Sequence, residues 1–424
     1  MEEDLVNSTN STKQDEPQKN GFVESFALQL EKEKNRLTSE PSETAAARHI
    51  RDIVSSANPD FKAKLEPYYA HPLLGRRSFF FLAIWTFICD IIFFASFQKN
   101  DITAILLTLF TLMVFVVGVV IIMAMFLGMD TFNKLLPKKA CYNVETEFTT
   151  PYRYSIQTTD NVEPNQTIVL CANHDSLPGT YFEDKGLFRK IAMIYTPFFM
   201  LFFVLICIIK MGIGIDTTAK IVGLTLVPGL LSLFAIFIFI ASYSLFPTHA
   251  RENNCIAPSI ALAVFATLYG QKNYLPENTR FIYVSFGGEN SGHGGSKAFI
   301  ERHLARDRGF NKAKVVCLEE IKSSSLVVPE TDIFRRCKYD DSMLSALKSN
   351  AQTLEIELAK ERDALASMHG HIASSFAKQN IQAISILGKK YSDDNPHPID
   401  SENIQKLFTL TLETVKGILS KDNN

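Results

Sequence analysis

The sequence has almost no net charge. Its 43 basic and 45 acidic residues leave −2 over 424 positions, so the electrostatics imply no nucleic-acid partner. Cysteine is sparse and unpatterned: seven residues, an odd number, scattered without a CxxC spacing. That excludes a disulfide framework or a zinc knuckle and reads as packing in a reducing compartment. The amino terminus is polar and acidic, so no cleavable signal peptide is expected. No internal repeat is evident.

What the chain does have is phenylalanine, 33 residues in clusters. Four stretches are long and apolar enough to span a bilayer: Phe79–Phe97, Ile102–Leu127, Ile191–Ile209 and Ile221–Phe246. Short polar turns, Gln98–Asp101 and Lys210–Lys220, join them into two hairpins that return the chain to its starting side. The hairpin bases carry Arg76, Arg77, Lys134, Lys138, Lys139, Lys185, Arg189, Lys190 and Arg251, against Lys99, Lys210 and Lys220 in the turns. By the positive-inside rule this predicts a multi-pass membrane protein whose remaining chain lies on the cytoplasmic side, with the lipid bilayer as its first partner. Asp90 falls in the middle of the first span, where an acid costs about 2.5–3.5 kcal/mol on insertion scales. It is read either as functional or as a hydrogen-bonding link to a neighbouring helix.

Outside the hairpins the pattern changes. Residues 1–40 read as a largely disordered tail with a short helix near Phe22–Arg36. A helix through about Ser56, capped by Ser42 or Thr44, precedes the extended piece Lys64–Ala70. Tyr142–Phe148 and Thr150–Gln157 alternate as strands, and Thr167–Ala172 is a buried strand. Then come helix Ser259–Tyr269, strand Arg280–Phe286, helix Ser296–Arg306 and strand Lys314–Glu319. A long helix from Asp341 to Met368, strand Ala383–Leu387 and helix Ser401–Leu419 follow. Strands alternating with helices predict an α/β fold, a mainly parallel mixed sheet covered on both faces, with the four membrane helices inserted as two hairpins. The predicted divisions are 1–40 tail, 41–78, 128–190 and 247–424 α/β domain, and 79–127 and 191–246 hairpins.

The stretch Arg280–His303 organises this domain. A buried strand runs into a loop with five glycines, containing Glu289, and then into a helix. Open α/β sheets place ligands at such carboxyl-terminal strand ends, and glycine there permits close approach. Four strand ends bring polar residues to that edge: Asn173-His174-Asp175, Asn253-Asn254, Glu289-Asn290 and Glu319-Glu320.

The order and spacing of these segments resemble the zinc aminopeptidase and carboxypeptidase family M-28, which includes leucyl aminopeptidases, glutamate carboxypeptidase and the transferrin-receptor ectodomain. YNVETEF resembles its "NV" strand, and TIVLCANHDS its strand ending His-x-Asp-Ser. SFGGENSGHGGSKAF resembles its Gly-x-Glu-Glu segment, and FAKQNIQAISI with DNPHPID its closing strand and the start of its last helix. The resemblance implies a zinc-exopeptidase-like fold. It also implies where two zinc ions would be held, and there this chain departs. The first histidine ligand falls on Asn173, the bridging aspartate on Asn253, the acid after the base on Asn290 and the next aspartate on Glu319. The final histidine, due just after Lys390, is absent; Tyr391-Ser392 stand there. Glu289 keeps the general-base position and Asp175 the orienting acid.

Asparagine is a poor zinc ligand, being neutral and oxygen-donating. Two readings follow. The first is a catalytically degenerate binding or scaffolding module at the membrane, without a cofactor, whose partner is a membrane-protein segment or a peptide terminus. The second is an active membrane metallo-aminopeptidase with an altered zinc site built on His174 and His293, with His369, His371, His249 and Glu252 nearby. The second hairpin enters between Asp175 and Asn253, side by side in the family's site, so the cleft is expected to face the bilayer surface.

Overall fold

The computed structural model describes residues 16–33, 36–70, 85, 88–89, 91–93, 102–126, 138–151, 163–179, 204–205, 207–208, 249–251, 255–289, 292–321, 326–332, 337–359, 371–388 and 401–421. Asp90, Asn253, Asn254, Asn290 and His369 lie outside them, as do Lys390, Tyr391, Ser392 and most of the expected strand Thr150–Gln157. The chain divides into two compact units. One comprises Met1–Pro72, Lys138–Leu177 and Glu252–Asn424, and the other Leu73–Pro137 and Pro178–Arg251.

The first unit is α/β. Its elements begin with α1 (Glu16–Glu31), α2 (Pro41–Ala57) and β1 (Lys64–Ala70), and continue with β2 (Lys139–Thr149) and β3 (Gln166–Asn173). Next come α4 (Ile256–Gly270), β6 (Thr279–Phe286), α5 (Gly294–Arg306) and β7 (Lys314–Glu319); α3, β4 and β5 lie at or beyond the boundary with the second unit and are given below. The last third holds β8 (Leu326–Val327), β9 (Thr331–Asp332), β10 (Cys337–Lys338), α6 (Asp341–Thr353), β11 (Leu358–Ala359), α7 (Ile372–Ala377), β12 (Gln382–Gly388) and α8 (Ser401–Lys421). Eight strands form one mixed sheet in the order β1-β2-β6-β3-β7-β12-β8-β11. Its centre, β6-β3-β7-β12, is parallel. The central strands are largely apolar through their middles and buried along nearly their whole length, so both faces are covered. Phe281 and Tyr283 of β6 face the α4 side, while Phe286 meets Phe299 of α5 and Phe376 of α7 on the other.

Two expectations change here. The amino-terminal stretch is not a loose tail throughout. Val23, Phe26 and Leu30, spaced to share one helical face, are buried in the main core. The long helix expected to reach Met368 stops at Thr353, because Glu355 takes a left-handed conformation (φ 54°) and the chain then turns to pair β11 with β8.

The second unit contains the 25-residue helix α3 (Ile102–Phe126), which has no charged residue and is about 37 Å long at 1.5 Å per residue. Thr108, Thr111 and Phe115 are buried, whereas Ile105, Leu106, Leu109, Phe110, Met113, Val116, Val117 and Val120 are exposed. Phe115 packs with Cys89, Phe93 and Cys207. A side chain at Gly118 would collide with the Trp85 indole, so glycine is required for that contact. Among the fully described residues no helix is long and apolar enough to cross a membrane. The four expected spans fall mostly outside the described residues, and the side chains of α3 are described only in part. The two connections of the second insertion pair as a small ribbon, β4 (Leu177–Gly179) with β5 (His249–Arg251).

Candidate functional site

The parallel register aligns the carboxyl ends of the central strands. Asn173 pairs with Phe286, so β3 ends level with the glycine loop, and Ala172 pairs with Leu318, one residue before Glu319. The register thus brings Asn173 and Glu319 to one edge beside the glycine loop that carries Glu289.

Glu289 lies past the end of β6 and is buried. Its Oε1 accepts the Ser296 backbone N–H at 2.5 Å, and its Oε2 accepts the Ser296 hydroxyl at 3.0 Å and faces His293 Nδ1 at 2.8 Å. Ser296 is in the first turn of α5, where free N–H groups and the helix dipole favour an anion. The carboxylate thus serves as the cap of α5. His293, at the cap position, adopts a left-handed conformation (φ 59°) that brings its ring to Glu289.

The described glycines of the loop approach their own chain closely. A β-carbon on Gly287 would lie 2.0 Å from Glu43 Oε1, and one on Gly295 would lie 2.4 Å from the Gly287 carbonyl and 2.9 Å from Glu289 Oε1. Asn143 ties the two sides of the loop, donating to the Gly295 carbonyl and accepting the Gly287 N–H. Tyr68 donates to the Gly287 carbonyl at 2.6 Å. Burial first, then the neighbouring Cys141, Glu43, Glu289 and Asp175, raise the Tyr68 phenol well above its ordinary range. Burial and Glu43 likewise push the Cys141 thiol up to about 12, partly opposed by Ser39.

At the end of β3, the Asn173 amide donates to Asp175 Oδ1 at 3.0 Å, and Thr38 donates to Oδ2 at 3.1 Å. His174 turns away from both: Nδ1 meets Ser285 Oγ at 3.0 Å and Nε2 faces Glu43 Oε1 at 3.6 Å, with all three residues fully buried. His174 and His293 therefore have different partners. The structure does not assemble them into one centre.

Glu319 forms a second corner. Oε1 accepts the Ser385 hydroxyl and the Ile372 N–H at 2.9 Å, while Oε2 lies 4.0 Å from His371 Nδ1. Burial pushes this carboxyl up to about 7, against the pull of His371 and of its two donors. Tyr339 and Asp332 are buried in the same region, and burial, with Glu319 and Asp332, raises the Tyr339 phenol. His371 was only a background candidate in the sequence. Its place beside Glu319 depends on α7, a six-residue helix with no distinct sequence signal.

Among the described residues, the donor set does not fit a zinc pair. Asn173 directs an N–H group, which cannot ligate a metal, at Asp175. Glu289 is occupied by Ser296 and His293. Among the described residues, no group of three or more His, Cys, Asp or Glu side chains is placed to hold a metal. An open cavity lies elsewhere, at the amino ends of β3 and β6, lined by Gln166, Gln271, Tyr274, Glu277, Lys416 and Leu419.

No family model matches the chain, and no curated protein matches it. Among solved structures it is similar to Fimbriiglobus ruber glutaminyl cyclase, with TM-score 0.46 and 9% identity, covering 94% of this chain and 95% of that one. It is also similar to Legionella pneumophila LapA aminopeptidase, with TM-score 0.46 and 8% identity, covering 95% and 70%. A third is a Zn-dependent exopeptidase from Parabacteroides distasonis, with TM-score 0.45 and 9% identity, covering 93% and 97%. Likeness this distant assigns no residue a role.

Proposed function

We propose that the α/β unit is a binding or scaffolding module on a zinc-exopeptidase-like (M-28-type) framework, fixed to a membrane by two helical hairpins and without the peptidase chemistry. The observation that carries this reading is the commitment of Glu289 to the first turn of α5. A carboxylate holding Ser296 through both oxygens, and His293 besides, is part of the scaffold. A general base must reach a water or substrate. A bound metal is what brings the pKa of water down toward neutrality, so even a free Glu289 would need such an ion beside it to generate a nucleophile.

Membrane attachment is supported by the inverted pattern of α3, with threonines inside and apolar side chains outside. The basic residues at the hairpin bases support a cytoplasmic side for the α/β unit. The partner is a membrane-protein segment or a peptide terminus, met at the carboxyl edge of the sheet. The competing reading is an altered zinc site on His174 and His293.

Metal content of the full chain purified without chelator separates the two, measured beside release of amino acids from unblocked peptides. The scaffold reading expects less than stoichiometric zinc and no release. One zinc per chain, lost in a His174→Ala, His293→Ala double variant, would overturn it.

A further inference from the structure

The loop His174–Ser176 already has an occupant. The segment joining α1 to α2 runs across it and engages it by main chain and side chain. Ser176 N–H donates to the Arg36 carbonyl at 2.6 Å, and Arg36 Nε donates to the His174 carbonyl at 2.7 Å. Thr38 donates to Asp175, and Glu43 reaches the His174 ring. Arg36, Leu37, Thr38 and Glu43 are buried. Position by position, this segment takes the polar groups that a strand-end loop would offer to a ligand.

The fit is imperfect in a telling way. The Arg36 guanidinium is fully buried and donates to the carbonyls of His174, Leu30 and Glu33, while burial raises the neighbouring Cys255 thiol and the Arg36 charge opposes that rise. Glu43 Oε1 and His174 Nε2 stand 3.6 Å apart, beyond hydrogen-bonding distance, and neither has another hydrogen-bond partner. Buried polar atoms left unmatched oppose the docked arrangement.

We propose that Arg36–Glu43, a turn that runs into the first turn of α2, is a built-in strap that occupies the binding edge as a peptide partner would, so that binding requires its displacement. This rests on reading that edge as a binding site. The test below concerns the strap alone, and metal analysis tests the reading separately.

Two neighbouring amides give the readout. Ser176 N–H is held by the strap, whereas His174 N–H donates to Phe286 within the sheet. In residue-resolved hydrogen exchange on the full chain in lipid nanodiscs, Arg36→Ala is expected to speed exchange at Ser176 at least tenfold and leave His174 unchanged. A synthetic peptide spanning residues 34–45, added in trans, should restore protection at Ser176, and a scrambled peptide should not. Unchanged exchange at Ser176, equal loss of protection at both amides, or no effect of the peptide overturns the proposal. Thr38→Val keeps the side-chain volume and carries the test if Arg36→Ala does not fold. Severalfold faster exchange at Ser176 is then expected, and no change there refutes the strap.

Discussion

Glu289 and Glu319 leave strands that flank β3 on either side, and both carboxyl groups are buried. Their surroundings treat the charge in opposite ways. Glu289 has donors on both oxygens, drawn from the first turn of a 13-residue helix and from a histidine at 2.8 Å. Glu319 has both of its donors on one oxygen, and the other oxygen sees a histidine only at 4.0 Å. Burial alone does not decide the state of a carboxyl; the number and direction of its donors do. A strand-end acid in an α/β sheet can thus be tied into a helix's first turn or sit near its titration point, and sequence position does not separate the two.

The largest expected effect tests the structural side of that contrast. Glu289→Gln replaces a charged cap with a neutral amide that cannot accept on both sides. Hydrogen bonds to charged groups are worth about 1.5–3 kcal/mol, so a loss of about 2 kcal/mol is expected. Denaturant unfolding of the full chain in detergent, followed by circular dichroism, measures it. A variant as stable as the parent would return Glu289 to the role of an unengaged acid.

The framework was legible where pattern and burial agree. The extended piece Lys64–Ala70 and the apolar run Lys314–Glu319 form strands with the expected bounds. The amino-terminal helix was half legible: Val23, Phe26 and Leu30 mark a face, but the polar composition around them argued for a tail. The use of the edge was not legible. Arg36 meets His174 across 138 residues, and no local spacing announces such a bond. A Glu seven residues before Ser296 does not fit any short capping pattern; only the glycine loop's tight fold brings the two together. Nor does the sequence announce that the Asn173 amide donates to Asp175.

The second prediction probes Glu319. Its folded value of about 7 lies above the ordinary 4.5. A raised folded value means stability that is fully present below the ordinary value and lost as pH rises through about 7. Above that, the chain carries an ionised carboxylate that its site opposes. Glu319→Gln removes this slope, so near pH 8 the variant should be more stable than the parent by about 2 kcal/mol, converging below about pH 5. Unfolding midpoints across that range are the measurement. Parallel curves for parent and variant would show that Glu319 is ionised throughout, like an ordinary ion-paired acid.

The smallest effect comes from a third buried acid, which calibrates the other two. Glu145 on β2 accepts from His303 at 2.9 Å and pairs with Arg302 of the same helix, α5. Burial would raise its carboxyl, but the His303 hydrogen bond and the charges of His303 and Arg302 bring it below the ordinary value. The sign is now reversed. A lowered folded value gives stability present above the ordinary carboxylate range and lost as pH falls through the folded value. Glu145→Gln should therefore cost about 1 kcal/mol near neutrality and nothing in acid, since the pair is only partly shielded from solvent. Glu319→Gln should do the opposite, gaining at neutral to alkaline pH. Acid and alkaline unfolding series on the two variants decide the matter. If both shift the same limb, donor geometry is not what sets these carboxyl groups apart, and the contrast between the two corners of the sheet edge fails with it.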